Sequence, residues 1–302
     1  MPLGHLKTED GTVDEEPLTL PPTLQQLHVV LFGRTGSGKS VALISILLWN
    51  AVAIDGADIF IDSKGDGMPI KYMGAHYALH GDLDDVYYFD CTELLPAVSL
   101  LDIRDQLESG IDRSIAVEDV VDHYIEVLVG IMGHERFYRA VRSPDIIRYL
   151  VKALFDPVHG SDAFTHRDLQ QAARRMHGTR DAPPVTDPDL QEMLGGVAAN
   201  SERSFHELMQ GVANRIEKIP SYERLGQLFN HVSESEDDPD FDLRELLDED
   251  ATIIIDTSGL RPENRRGVTL VLLSELWTAL RRRARETGEM GRSRPTSAHS
   301  SP

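Results

Sequence analysis

The sequence predicts an α/β fold: a parallel sheet flanked by helices, interrupted by a large all-helical insertion. Three observations carry this expectation. Short apolar runs at Ala57–Asp62, Val86–Asp90 and Ala251–Asp256 have the length and β-branched content of buried strands. Helical-length stretches separate them, which argues for crossover connections and hence parallel pairing. Between about residues 102 and 240 the strand signals stop and helical periodicity takes over.

Taken in order, residues 1–27 are polar and then carry Pro17, Pro21 and Pro22, the pattern of an extended lead-in. A nucleotide-binding core, first part, covers 28–101. Its first strand is expected near His28, through Val29-Val30-Leu31-Phe32. The octapeptide Gly33-Arg34-Thr35-Gly36-Ser37-Gly38-Lys39-Ser40 follows and fits GxxxxGK[ST], and the apolar stretch from Val41 reads as the succeeding helix. Ala57–Asp62 then ends in a carboxylate before the turn Ser63-Lys64-Gly65-Asp66-Gly67.

The insertion, 102–240, contains expected helices at Val117–Met132, Ile146–Phe155, Arg167–Met176 and Glu202–Ile219, with breaks at Pro183-Pro184 and the acidic run Ser233–Asp240. The second part of the core, 241–286, has a helix at Phe241–Leu247, the strand ending at Asp256 and a helix at Thr269–Arg285. Residues 287–302, rich in Ser, Pro and Arg, read as a disordered tail.

The octapeptide carries the chemistry. Gly33, Gly36 and Gly38 allow the backbone to wrap closely around phosphates with its amides turned inward. The helix beginning near Gly38 presents free amides and a positive dipole end to the same oxygens. Lys39 is positioned for the β- and γ-phosphates, and the Ser40 hydroxyl for Mg2+. ATP with Mg2+ is therefore the expected ligand. Asp62 and Asp256, each ending a strand, are the candidate metal-linked carboxylates. Neither is followed by the Glu that commonly activates the attacking water, and a turn or capping role competes for both.

Composition sets further bounds. The chain has 302 residues, 41% of them hydrophobic, enough for a substantial core. Asp and Glu number 50 against 30 Lys and Arg, a balance of −20, and only six residues are Lys. Such an acidic surface resembles that of a halophile and argues against a broad basic nucleic-acid footprint. The one Arg cluster, Arg281, Arg282, Arg283 and Arg285, reads as a solvated helix face. A single cysteine, Cys91, excludes an internal disulfide and suits a reducing compartment. With no secretory signal and no transmembrane segment, the expected location is cytoplasmic. His123 with Glu126, and His159 with His166 and Asp168, lie at short spacings, but without paired Cys or an HExxH arrangement they read as surface or packing residues.

Four segments, HVVLFGRTGSGKS (28–40), DIFIDSKGDG (58–67), the stretch from Tyr87 ending in PAVSLLDIR (96–104) and FDLRELLDEDATIIIDTSGL (241–260), together resemble the HerA/FtsK superfamily. The similarity is to its archaeal members related to conjugation and type IV secretion ATPases, and it runs from residue 28 to about 285. It implies a RecA-like P-loop NTPase core, a homo-oligomeric ring, DNA as partner and membrane-associated secretion proteins as further partners. Arg261, Arg265 and Arg266 are candidate trans-acting arginines by their place after the late strand alone, with surface solvation as the default reading. In such proteins another strand ending in paired carboxylates follows the last helix; here it is missing. The sheet is then expected to be incomplete and the chain a truncated motor. A hydrolysis-deficient interaction module is the alternative, and a P-loop phosphotransferase a more distant one.

Overall fold

The computed structural model describes residues 2–7, 10–19, 30–54, 56–96, 98–139, 142–219, 223–233, 246–247 and 249–287. They belong to two compact units. One comprises Met1–Leu94, Leu243–Gly259 and Glu275–Pro302; the other comprises Leu95–Asp242 and Leu260–Ser274.

The first unit opens with an antiparallel hairpin, β1 (Pro2–Lys7) and β2 (Val13–Thr19), inside the segment expected as an extended lead-in. Its turn is held by Asp10, whose Oδ1 accepts from both the amide and the hydroxyl of Thr12 at 3.1 and 2.8 Å. After helix α1 (Lys39–Ala53) come β3 (Asp58–Asp62), α2 (Met68–His80), β4 (Val86–Asp90) and, far along the chain, β5 (Thr252–Asp256). These three strands form a parallel sheet in the order β3-β5-β4. The fold is thus mixed α/β, a small parallel sheet flanked by helices.

The central position of β5 is matched by its burial. Ile253, Ile254 and Ile255 are all buried, as a strand covered on both faces requires. Helix α2 starts at Gly67, in the left-handed conformation, and stops at Gly81, whose amide bonds the Tyr77 carbonyl. Its buried Met68, Tyr72 and His76 recur every four residues and form one stripe. The Tyr72 hydroxyl reaches Thr252 Oγ1 of β5 at 2.7 Å, a tie between helix and central strand.

The second unit is helical, as expected from 102 to 240. Its long helices are α4 (Arg113–Met132), α6 (Ser143–Leu154), α7 (His166–Thr179), α8 (Pro188–Ala198) and α9 (Glu202–Ile216), with the short α3 (Arg104–Glu108), α5 (His134–Tyr138) and α10 (Glu223–Phe229) between and after them. Four starts are fixed by side-chain caps: Asp112, Thr165 in a capping box with Asp168, Asp187 and Ser201. Helix α11 (Pro262–Thr287) is the last described element, counted with the second unit through Ser274 and with the first from Glu275. Among the described residues no helix is long and apolar enough to cross a membrane.

Two local expectations change. Residues 30–32, the described part of the strand expected before the phosphate loop, are not in strand conformation. Val30 and Phe32 are 67% and 91% exposed, and no ladder among the described residues pairs with them. An apolar run becomes a strand only where a neighbouring strand takes its amides and carbonyls. Helix α1, apolar around much of its circumference, likewise has no fully buried residue. The helix at Phe241–Leu247 and the tail after 287 lie outside the described residues, apart from 246–247, which are helical.

Asp58, at the start of β3, accepts from Asn50 Nδ2 at 3.1 Å. Burial pushes its carboxyl up to about 6 from 3.8, the Asn50 bond acting in the opposite direction. A folded-state pKa above the unfolded value means the ionised group destabilises the fold. That cost is absent below pH 3.8, grows as pH rises through about 6 and is complete above it. Asp58→Asn, which keeps an acceptor for Asn50, is expected to raise stability at pH 7.5 by roughly 1–2 kcal/mol and to leave it unchanged near pH 3.5, measured by denaturant unfolding at both pH values.

Candidate functional site

The Gly33–Ser40 segment expected to bind phosphates is a glycine-shaped loop that leads into α1. Residues 30–34 run as irregular backbone, Thr35 and Gly36 turn, and α1 begins at Lys39. Gly36 and Gly38 have φ of 80° and 85°, conformations that cost a side-chain-bearing residue roughly 1–2 kcal/mol. Gly33 serves a different purpose. A β-carbon there would collide with Ser37 Oγ, so its smallness sets the tightness of the loop. The Ser37 amide closes the turn on the Arg34 carbonyl at 3.1 Å. No side chain caps α1, which leaves its first amides available at the loop.

Lys39 folds back over this loop. Its Nζ donates to the carbonyls of Gly33 and Arg34 at 2.8 and 2.9 Å. Both contacts are exposed and replaceable by a phosphate oxygen. Arg34 and Thr35 are exposed beside it.

The sheet supplies a row of carboxylates. Asp62, Asp256 and Asp90 end β3, β5 and β4 and lie opposite one another in the parallel register. Each holds the turn that follows it by the same bond, from the amide two residues on: Lys64 to Asp62 at 2.8 Å, Ser258 to Asp256 at 2.9 Å and Thr92 to Asp90 at 2.9 Å. Asp62 and Asp256, the two expected metal-linked residues, therefore each commit one oxygen to a turn. Their other oxygens differ. Asp256 Oδ2 accepts from the Tyr88 hydroxyl at 3.3 Å, and burial with the Asp256 charge pushes that phenol up to about 12. Asp62 is 95% buried by its 5% exposure, and its Oδ2 has no hydrogen-bond partner among the described residues. An unmatched buried carboxylate oxygen is costly and suits a cation or a metal-bound water.

The residue that meets the phosphate loop is one the sequence reading left unassigned. Ser40 Oγ donates to Asp66 Oδ2 at 3.1 Å. Lys64 Nζ reaches the same oxygen at 2.6 Å, and this bond, ahead of the one from Ser40, holds the Asp66 carboxyl below its ordinary range. Two glycines shape the segment: Gly65 and Gly67 have φ of 73° and 74°. A β-carbon on Gly65 would lie 3.0 Å from Ser258 Cβ, so the turn after β3 is pressed against the turn after β5. Thr257 joins the two, its amide donating to the Asp62 carbonyl at 2.8 Å. The signal for Asp66 was its place two residues after Lys64 in a Gly-flanked turn beyond a strand end.

The residues fit a magnesium ion of the kind that retains several waters and takes one hydroxyl, one or two carboxylates and substrate oxygens. They do not form an all-protein cage, since no group of three or more His, Cys, Asp or Glu suited to a metal occurs among the described residues. His166 is a core residue: Tyr124 Oη lies 2.8 Å from Nδ1 and the Ile216 carbonyl 2.8 Å from Nε2, and burial lowers its pKa to about 4. Cys91 is fully buried beside Asp256, to whose carbonyl its amide donates at 3.0 Å. Arg265 donates to the Leu260 carbonyl at 3.0 Å, within its own helix start. Compared with protein-family models, curated proteins and solved structures, the chain matches none.

Gly65→Ala places a side chain in a left-handed turn and against Ser258. We expect it to lower stability by roughly 1–3 kcal/mol and to loosen the turn that carries Asp66, read as a drop in melting temperature. The equivalent change at Gly74, where a β-carbon meets nothing within 4 Å, is expected to be neutral or stabilising.

Proposed function

We propose that this chain binds ATP with Mg2+ at Gly33–Ser40, and that Asp66 links the metal-binding hydroxyl of Ser40 to the sheet. The observation that carries this reading is the Ser40–Asp66 bond, which couples the Gly33–Ser40 loop to the turn that Asp62 holds after β3. Lys39 holds the β- and γ-phosphate oxygens once it leaves the Gly33 and Arg34 carbonyls. The loop amides orient the phosphates. Magnesium would be held through the Ser40 hydroxyl and would supply neutralisation of the phosphate charge. Ser40 contributes its hydroxyl, Asp66 accepts a hydrogen bond from that hydroxyl or from a metal-bound water, and Asp62 Oδ2 offers a second acceptor.

On the sequence resemblance, we place this site in a RecA-like core of the DNA-translocase and secretion-motor type, acting as a homo-oligomer on DNA. A second reading has its own support. Asp62 and Asp256 each fix a turn through one oxygen, and neither is followed by Glu, so neither is arranged as an unencumbered general base. A chain of that kind binds nucleotide for assembly or regulation and does not turn it over.

Calorimetric titration of the full chain with ATP, with and without Mg2+, tests the site. Lys39 makes only exposed loop contacts, so Lys39→Ala is expected to leave the melting temperature within a few degrees and weaken ATP binding at least tenfold. Asp66→Asn is expected to keep nucleotide binding while reducing the gain from Mg2+. Failure of the unmodified chain to bind any nucleoside triphosphate would overturn the proposal. DNA-stimulated phosphate release separates the motor from the module.

A further inference from the structure

The helical unit holds a cleft of about 560 Å3 between α6, α8 and α9, lined by no residue of Gly33–Ser40. Its base is apolar: Ile146 and Val197 are buried, and Leu208 and Tyr149 partly so. Its lip is acidic. Asp145, Asp189 and Glu192 are exposed there, with Arg142 the one basic lining residue. Met193 also lines it and is 49% exposed. Helix α8 has adjacent glycines, Gly195 and Gly196, in its last turns, where a β-carbon would meet nothing within 4 Å. Glycine inside a helix costs about 1 kcal/mol relative to alanine, and at Gly196 it keeps the cleft open for close approach.

Helix α11 presents the opposite chemistry. Leu273 and Trp277 are 46% and 55% exposed, and Arg281 is exposed. Spaced four residues apart, the three share one helix face. An exposed Trp flanked by Leu and Arg is the composition of a binding anchor, not of a solvated face. A cleft of this volume accommodates a large apolar anchor.

We propose that the Leu273–Trp277–Arg281 stripe of one copy of this chain docks in the α6–α8–α9 cleft of another, Trp277 against the apolar base and Arg281 toward Asp145, Asp189 and Glu192. Charge complementarity between the acidic lip and the basic end of the stripe selects this occupant. Such a contact joins two different surfaces, so each copy keeps one free cleft or one free stripe and association continues from it. The proposal is independent of nucleotide.

The test is sedimentation of the full chain without nucleotide. The unmodified chain is expected to self-associate, and Asp189→Lys with Glu192→Lys, or Trp277→Glu, is expected to weaken association at least tenfold. Mixing these two variants restores one contact only, so a 1:1 mixture is expected to give heterodimers and nothing larger. Glu192→Gln and Arg281→Gln, milder changes, are expected to reduce the salt dependence of association and guard against loss of folding in the others. A monomeric unmodified chain, variants that associate as the unmodified chain does, or a mixture that stays monomeric would overturn the proposal; capture of a foreign basic peptide by a monomeric chain is among the contrary outcomes.

Discussion

Three parallel strands end on aspartate in one register row, and each aspartate fixes the backbone two residues beyond it. This repeated bond is the constraint from which the site is built. It makes the carboxyl edge of the sheet a set of tight, similar turns instead of three independent loops. The turns then interlock: Thr257 bonds the Asp62 carbonyl, Gly65 packs on Ser258, and Gly259 leaves room for Thr92, whose Cγ2 a β-carbon would approach to 2.5 Å. Asp66 stands on that platform. Its bond to Ser40 links a phosphate loop with few buried contacts of its own to the most buried strand pair of the unit.

Charge is arranged to match. One oxygen of each strand-end carboxylate faces backbone N–H groups, which stabilise negative charge. Asp66 is further compensated by Lys64, so a chain of strong overall negative charge keeps local cations at the loop through Lys39 and Lys64. The opposite end of β3 has a different balance. There Asp58 is half-buried with Asn50 as its hydrogen-bond donor among the described residues, and its carboxyl is pushed up. Asp66 and Asp58 are thus shifted in opposite directions, the first downward chiefly by the Lys64 hydrogen bond and the second upward by burial.

The strands at Asp58–Asp62, Val86–Asp90 and Thr252–Asp256 were legible because short β-branched runs bounded by turn residues have few other solutions. The helical block was legible from its caps and periodicity. Parallel pairing could be inferred from alternation, but the central position of β5 could not, since order in a sheet depends on contacts between distant segments. The strand before the phosphate loop looked equally clear and behaves differently over residues 30–32, because an apolar run carries no information about whether a partner strand is present. The segment Gly33–Ser40 was readable as a glycine-shaped loop leading into a helix, with Gly36 and Gly38 at positive φ and the helix starting at Lys39. Asp66 was not, since a carboxylate in a Gly-rich turn is ordinary until the fold brings Ser40 within 3.1 Å of it.

The proposed triphosphate site rests on Lys39 and the Ser40–Asp66 pair. A crystal structure of the full chain with a non-hydrolysable ATP analogue and Mg2+ tests it most directly. The account predicts phosphates cradled by Gly36–Ser40, with Lys39 Nζ moved from the Gly33 and Arg34 carbonyls onto phosphate oxygens and Asp66 within hydrogen-bond reach of Ser40 or a metal-bound water. A nucleotide bound elsewhere, with Lys39 still on both carbonyls, would contradict it.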